Sequence, residues 1–191
     1  MARIAYLHGF ASGPKPHSPK VAMLRELGHE VHCLSSKGQY RFFDYLRAIH
    51  DFRQTHDLPD LLAGTSLGGF WARYFGCRHD RPWIALNPAM HPTETLAAHF
   101  GTLQRFDTDA CFDWSAEDVR PYENFEDQWL TTEVPGLIIV AKDDDVIDPH
   151  ETWRFSGNCQ FIELPRGGHA LANTEDYVDT INRFMNRVLG P

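Results

Sequence analysis

The sequence Gly64-Thr65-Ser66-Leu67-Gly68-Gly69 follows the apolar run Leu61-Leu62-Ala63. It precedes Phe70, Trp71, Tyr74 and Phe75 at helical spacing. A serine hydroxyl is a weak nucleophile and must stand exposed where a base can reach it. A sharp turn from strand to helix achieves this but crowds the backbone around the serine. Gly64 and Gly68 relieve that crowding because they lack a Cβ, and Gly69 lets the helix pack close to a sheet. The turn also puts the Leu67 N–H at a helix N-terminus, where it can hold a developing oxyanion.

Such a nucleophile needs a base, and the base needs an orienting acid. The strand-like run Cys159–Leu164 is followed by Pro165-Arg166-Gly167-Gly168-His169, which places a histidine just past a strand end. Leu137-Ile138-Ile139-Val140-Ala141 runs into Asp143-Asp144-Asp145-Val146-Ile147-Asp148, which supplies acids at another strand end. Asp144 is the expected partner of His169, because it directly precedes the region where Val146 and Ile147 can begin packing again. Asp143 and Asp148 are the alternatives. The acidic run lacks the glycine and terminal glutamate of a calcium loop. No metal and no cofactor are expected. His8, in the loop after the strand-like run Arg3–Leu7, is expected to brace that loop. His17 and His91 read as surface-loop residues, and His29, His32, His50, His56, His79 and His99 as ordinary ones.

The chain order serine, acid, histidine is that of the α/β hydrolases. The chain resembles that superfamily, and more narrowly the YqiA-like short bacterial esterases. The resemblance rests on Tyr6-Leu7-His8-Gly9-Phe10 with Ser12 and Pro14, Gly64-Thr65-Ser66-Leu67-Gly68-Gly69, Leu86-Asn87-Pro88-Ala89, Asp144 before Val146-Ile147, and Gly167-Gly168-His169-Ala170. It implies esterase activity through a Ser66–His169–Asp144 triad. It also implies that the loop after the first strand supplies a second oxyanion donor, the Phe10 N–H, beside Leu67. An acyl thioesterase would use the same residues. A hydrolase-fold binding protein with little turnover is the reading from another class.

Six strands must carry these residues, at about 3–7, 30–34, 60–63, 83–86, 137–141 and 159–164, with helical patterns between most of them. Ser18-Pro19 opens one helix and Gly28 stops it. The last helix carries Tyr177, Val178, Ile181, Phe184, Met185 and Val188 on one stripe. Strand alternating with helix predicts a single α/β domain over 1–191, a six-stranded, mostly parallel sheet with helices on both faces. Against the resemblance, the two leading strands of a full-length hydrolase are missing. Residues 88–135 break the rhythm, with helical fragments and no convincing strand, and are expected to form a helical cap insertion. Within them, the stretch 107–127 holds eight acids against Arg120 alone, and reads as the solvated face of a surface helix.

A length of 191 residues suits one domain that buries roughly 70% of its unfolded surface. The net charge of −8 argues against nucleic acid as a partner. No run approaches the ~20 apolar residues of a membrane span. The four cysteines are scattered, and the first residues lack the pattern of a secretory leader, so a cytoplasmic protein with free thiols is expected. The expected partner is a small-molecule ester, and the sequence leaves the oligomeric state open.

Overall fold

A computed structural model describes residues 1–34, 41–126 and 133–190. The main sheet uses β1 (Arg3–Leu7), β2 (Glu30–Cys33), β3 (Leu61–Thr65), β4 (Trp83–Leu86), β7 (Gly136–Ala141) and β8 (Gln160–Leu164). Their order is β2-β1-β3-β4-β7-β8, and every neighbouring pair is parallel. All six expected strands are present, and the sheet is parallel throughout.

The inner strands β1, β3, β4 and β7 read as near-continuous apolar runs because both faces are covered. Along β7, Ile138 and Val140 point to one side, where α2 (Phe42–Thr55) and α3 (Leu67–His79) supply Phe42, Tyr45, Ile49, Phe70, Trp71 and Phe75. Leu137, Ile139 and Ala141 point to the other, where α1 (Pro19–Glu26) and α7 (Val178–Leu189) supply Val21, Leu24, Ile181, Phe184 and Met185. The alternation is the period-two geometry of a strand, with an apolar partner on each side. Ser18 caps α1 by accepting from the Val21 N–H, with Pro19 at the first turn. No helix among the described residues is long and apolar enough to cross a membrane.

Residues 88–126 and 133–135 depart from the expectation of helices alone. Here α4 (Pro92–Ala97) and α5 (Ala116–Val119) flank an antiparallel hairpin, β5 (Gly101–Gln104) with β6 (Cys111–Trp114). Leu103, Phe112 and Trp114 lie on its inner face, while Cys111 and Asp113 face water. Strands of four residues give too few repeats for alternation to stand out from the sequence. The short α6 (Pro149–Arg154) completes the set, capped by Asp148, which accepts from the His150 N–H at 2.8 Å.

The acidic stretch does not form one helix face. Asp107 and Asp109 sit in the hairpin turn, Asp113 on β6, and Glu117 and Asp118 on α5. Glu126 is buried and accepts from Thr93 and pairs with His91 at 2.8 Å. Asp127 lies outside the described residues. Pairing partners therefore differ from acid to acid: Asp107 holds Arg105, and Asp118 meets Arg41 at 3.1 Å.

Candidate active site

Ser66 stands between β3 and α3 with φ 55 and ψ −128, a backbone state that costs a non-glycine residue about 1–3 kcal/mol. The surroundings enforce it. The Ser66 N–H donates to the Leu86 carbonyl at 3.0 Å, and its own carbonyl accepts from Gly69 and Ala89 at 2.8 and 3.2 Å. A Cβ on Gly64 would strike the Gly68 backbone, and one on Gly68 would strike the Leu7 carbonyl. The turn therefore admits no side chain at either position. Leu67 is the first residue of α3, so its amide has no acceptor within the helix.

His169 lies in the turn after β8. Its Nδ1 is 2.9 Å from Asp144 Oδ2 and 3.1 Å from Oδ1. A carboxylate only accepts, so Nδ1 carries a proton, and in the neutral ring Nε2 keeps its lone pair. The Asp144 side chain is 1% exposed, and its Oδ1 also accepts from the Val146 and Ile147 N–H groups at 2.8 and 3.0 Å. The three neighbouring aspartates thus have different contacts. Asp143 accepts from the Gly168 N–H at 2.8 Å, which holds its carboxyl below the usual range and ties down the histidine turn. Asp148 caps α6. Of the three, the described contacts bring Asp144 alone to the His169 ring.

Phe10 lies in the loop between β1 and α1. Its ring packs on Trp114 and Phe112, with centroids 4.7 and 5.9 Å away, and the Phe106 N–H donates to the Ala11 carbonyl at 2.8 Å. The hairpin therefore holds the loop that carries the Phe10 amide. One cavity of about 460 Å³ is lined by residues including Ser66, Leu67, Phe10 and His169. Leu96, Leu103 and Phe106 bring the 88–135 stretch to its wall. Pockets of this volume suit a small organic molecule.

Three further residues support the site. Asn87 is 1% exposed, with φ 41 at the end of β4. Its Nδ2 donates to the Gly168 and His169 carbonyls at 2.8 and 3.1 Å, and its Oδ1 accepts from the Ala141 N–H at 2.8 Å. It clamps the histidine turn to the end of β7. The local signal was an asparagine before proline at a strand end, a pair that favours a turn. Tyr6 and Thr65 share a 2.6 Å hydrogen bond beside the serine, and burial drives the Tyr6 hydroxyl far above its ordinary pKa. No local pattern announced that pair.

His8 has a definite protonation state. Its Nε2 accepts from the Lys15 N–H at 3.0 Å, which requires a neutral ring. Burial first, then Lys15 and Lys20, lowers its pKa to about 4. The unfolded chain takes up a proton here below about 6.5, whereas the folded chain does not until about 4. Stability from this residue is therefore complete above about 6.5 and is lost as pH falls to about 4. The expected loss is roughly 2–3 kcal/mol. Urea unfolding at pH 7, 5.5 and 4.5 should show His8→Gln less stable at pH 7, with the gap to wild type closing towards pH 4.5. A gap independent of pH would refute the assignment.

Comparison with known proteins adds the family and the fold. Residues 3–186 match the family described as "Uncharacterised protein family (UPF0227)". A UPF0227 protein of Vibrio campbellii is 23% identical over 188 residues, covering 96% of this chain and 99% of that protein. One from Yersinia pseudotuberculosis is 27% identical over 158 residues, covering 78% and 79%. Among solved structures, Est1E from Butyrivibrio proteoclasticus superposes with a TM-score of 0.78 at 18% identity, covering 99% of this chain and 88% of that one. The monoacylglycerol lipase of Paleococcus ferrophilus gives 0.74 at 15% identity, covering 97% and 94%. These likenesses establish the α/β-hydrolase fold.

Proposed function

The chain belongs to the UPF0227 family, and from the groups gathered at the carboxyl ends of its strands we propose that it is a serine hydrolase of small carboxylic esters. The observation that carries the reading is the His169–Asp144 contact, 2.9 Å, with Ser66 in a strained turn on the same cleft. Ser66 Oγ attacks the ester carbonyl carbon while His169 Nε2 takes its proton. The Phe10 and Leu67 amides hold the oxyanion. Collapse of the tetrahedral intermediate expels the alcohol, which leaves with the proton from His169. Water, deprotonated by His169, then attacks the acyl-enzyme and releases the acid and Ser66. Asp144 keeps the required tautomer and stabilises the imidazolium as it forms. No cofactor enters these steps. Residues 1–191 act as one unit, with 88–135 as a cap over the cleft, a reading supported by Leu96, Leu103 and Phe106 on the cavity wall. Est1E has been described with ferulic acid bound, and the neighbours named esterase and lipase lend the ester reading support of the same kind.

The test is covalent labelling. A fluorophosphonate should label the protein once, on the peptide that holds Ser66, and a chromogenic aryl ester should give a burst of one alcohol per chain before steady turnover. A label on a cysteine, or no label with intact ester turnover, would overturn the mechanism.

A further inference from the structure

The charges around the cleft are unevenly distributed. Lys15 and Lys20 line it together with Ser66 and His169, and no aspartate or glutamate is among its described lining residues. Lys20 stands in the first turn of α1, and its Nζ donates to the Ala170 carbonyl, one residue beyond His169. The backbone of Lys15 is held by His8. Among the described residues neither lysine makes an ion pair. His8 is neutral, so the two ammonium groups set the charge of this corner. A second groove joins the cleft at Thr95, His99, Val146 and Ile147 and has the opposite sign, with Glu94, Asp145, Asp148 and Glu151 on its walls. The acids of the 107–126 stretch line neither of the two.

We propose that the Lys15–Lys20 corner binds an anionic group of the substrate, a carboxylate or a phosphate, so that the preferred substrates are small esters carrying a negative charge remote from the scissile bond. This rests on the serine-hydrolase reading of the same site. The apolar walls, Phe10, Leu96, Leu103 and Ile147, take the body of the molecule. The ammonium groups take its charged end. The acidic groove repels that end, so the molecule has one favoured orientation across Ser66. Burial and the neighbouring Lys15 lower the Lys20 pKa to about 8, a cost that a bound anion would relieve.

The experiment compares three matched 4-nitrophenyl esters: the butyrate, the hemiglutarate with its free carboxylate, and an analogue ending in a phosphate. The readout is the ratio of kcat/KM for each anionic ester to that for the neutral one. Lys20→Met should lower the ratio at least about tenfold, the loss expected when a charged hydrogen bond is removed, whereas Lys20→Arg should keep most of it. The ester with the larger fall identifies the anion. A ratio unmoved by Lys20→Met overturns the proposal. If Lys20→Met disturbs the His169 turn and abolishes turnover, calorimetry with glutarate and inorganic phosphate decides instead. Binding to Ser66→Ala that weakens at least tenfold in Ser66→Ala/Lys20→Met supports the site, and absence of binding to Ser66→Ala overturns it. The two readings fail separately. Turnover retained in Ser66→Ala with a Lys20-dependent ratio would remove the serine mechanism and leave the anion site standing.

Discussion

Ser66→Ala is expected to lower kcat for an aryl ester by roughly 10⁴-fold or more while leaving the fold in place. In the proposed mechanism the covalent step uses the hydroxyl of Ser66. Thr65 is the neighbouring candidate, but its Oγ1 is engaged with Tyr6 at 2.6 Å. The substitution should be structurally mild, because alanine keeps the Cβ and the backbone bonds of residue 66 to Leu86, Gly69 and Ala89 involve main-chain atoms alone. The stability change should stay within about 1 kcal/mol. Steady-state kinetics and a urea melt on the same preparation check both halves. Retention of more than a few per cent of kcat by a folded Ser66→Ala protein would remove the serine from the mechanism.

Asp144→Asn should cost about 10⁴-fold in kcat, the scale known for the equivalent change in the serine-protease triad. The hydrogen bonds of this residue give the reason. Oδ1 accepts from Val146 and Ile147, and Oδ2 faces His169 Nδ1. An asparagine would turn its oxygen to the two backbone N–H groups and its NH₂ to the ring. Nδ1 would then have to accept, and the proton would move to Nε2, the wrong nitrogen for a base. Asp143→Asn keeps an acceptor for the Gly168 N–H, and Asp148→Asn keeps a good helix cap, so each should cost less than about tenfold. Nitrogen NMR of the His169 ring provides a readout that a merely structural change would not move. The tautomer should invert in Asp144→Asn and be unchanged in the other two. Equal losses in all three variants would refute the assignment of Asp144.

Some elements were legible in the sequence for identifiable reasons. The inner strands of the main sheet, β1, β3, β4 and β7, are buried on both faces and appear as near-continuous apolar runs bounded by turns, while the edge strands β2 and β8 carry Glu30 and Glu163 on the surface. The turn around Ser66 is legible because its backbone state and close approaches demand Gly64 and Gly68 in the immediate neighbourhood. The hairpin β5–β6 was not legible. Its strands have four residues each, and the inward Phe112 and Trp114 rest on Phe10, more than a hundred residues away in sequence. The acidic stretch misled for a related reason. Helical surface charge and hairpin-turn charge have the same composition, and the difference lies in which partner each acid meets.

The sequence by itself determined the α/β arrangement, the serine turn, and the glycine-flanked histidine past the last strand. Each of these leaves its mark within a few residues of the chain, even where the cause lies farther away, as at Gly68 against the Leu7 carbonyl. The tertiary structure decided which aspartate meets the histidine, a contact across 25 positions, and that Asn87 ties the histidine turn to β7 across 81, 82 and 54. It also decided that Lys20, which in sequence resembles any solvated lysine in a first helical turn, stands on the wall of the cleft. Periodicity and turn chemistry record what one segment does with its own neighbours. The meeting of distant side chains depends on strand order and on the register of β7 against β4 and β8, and no single segment encodes those.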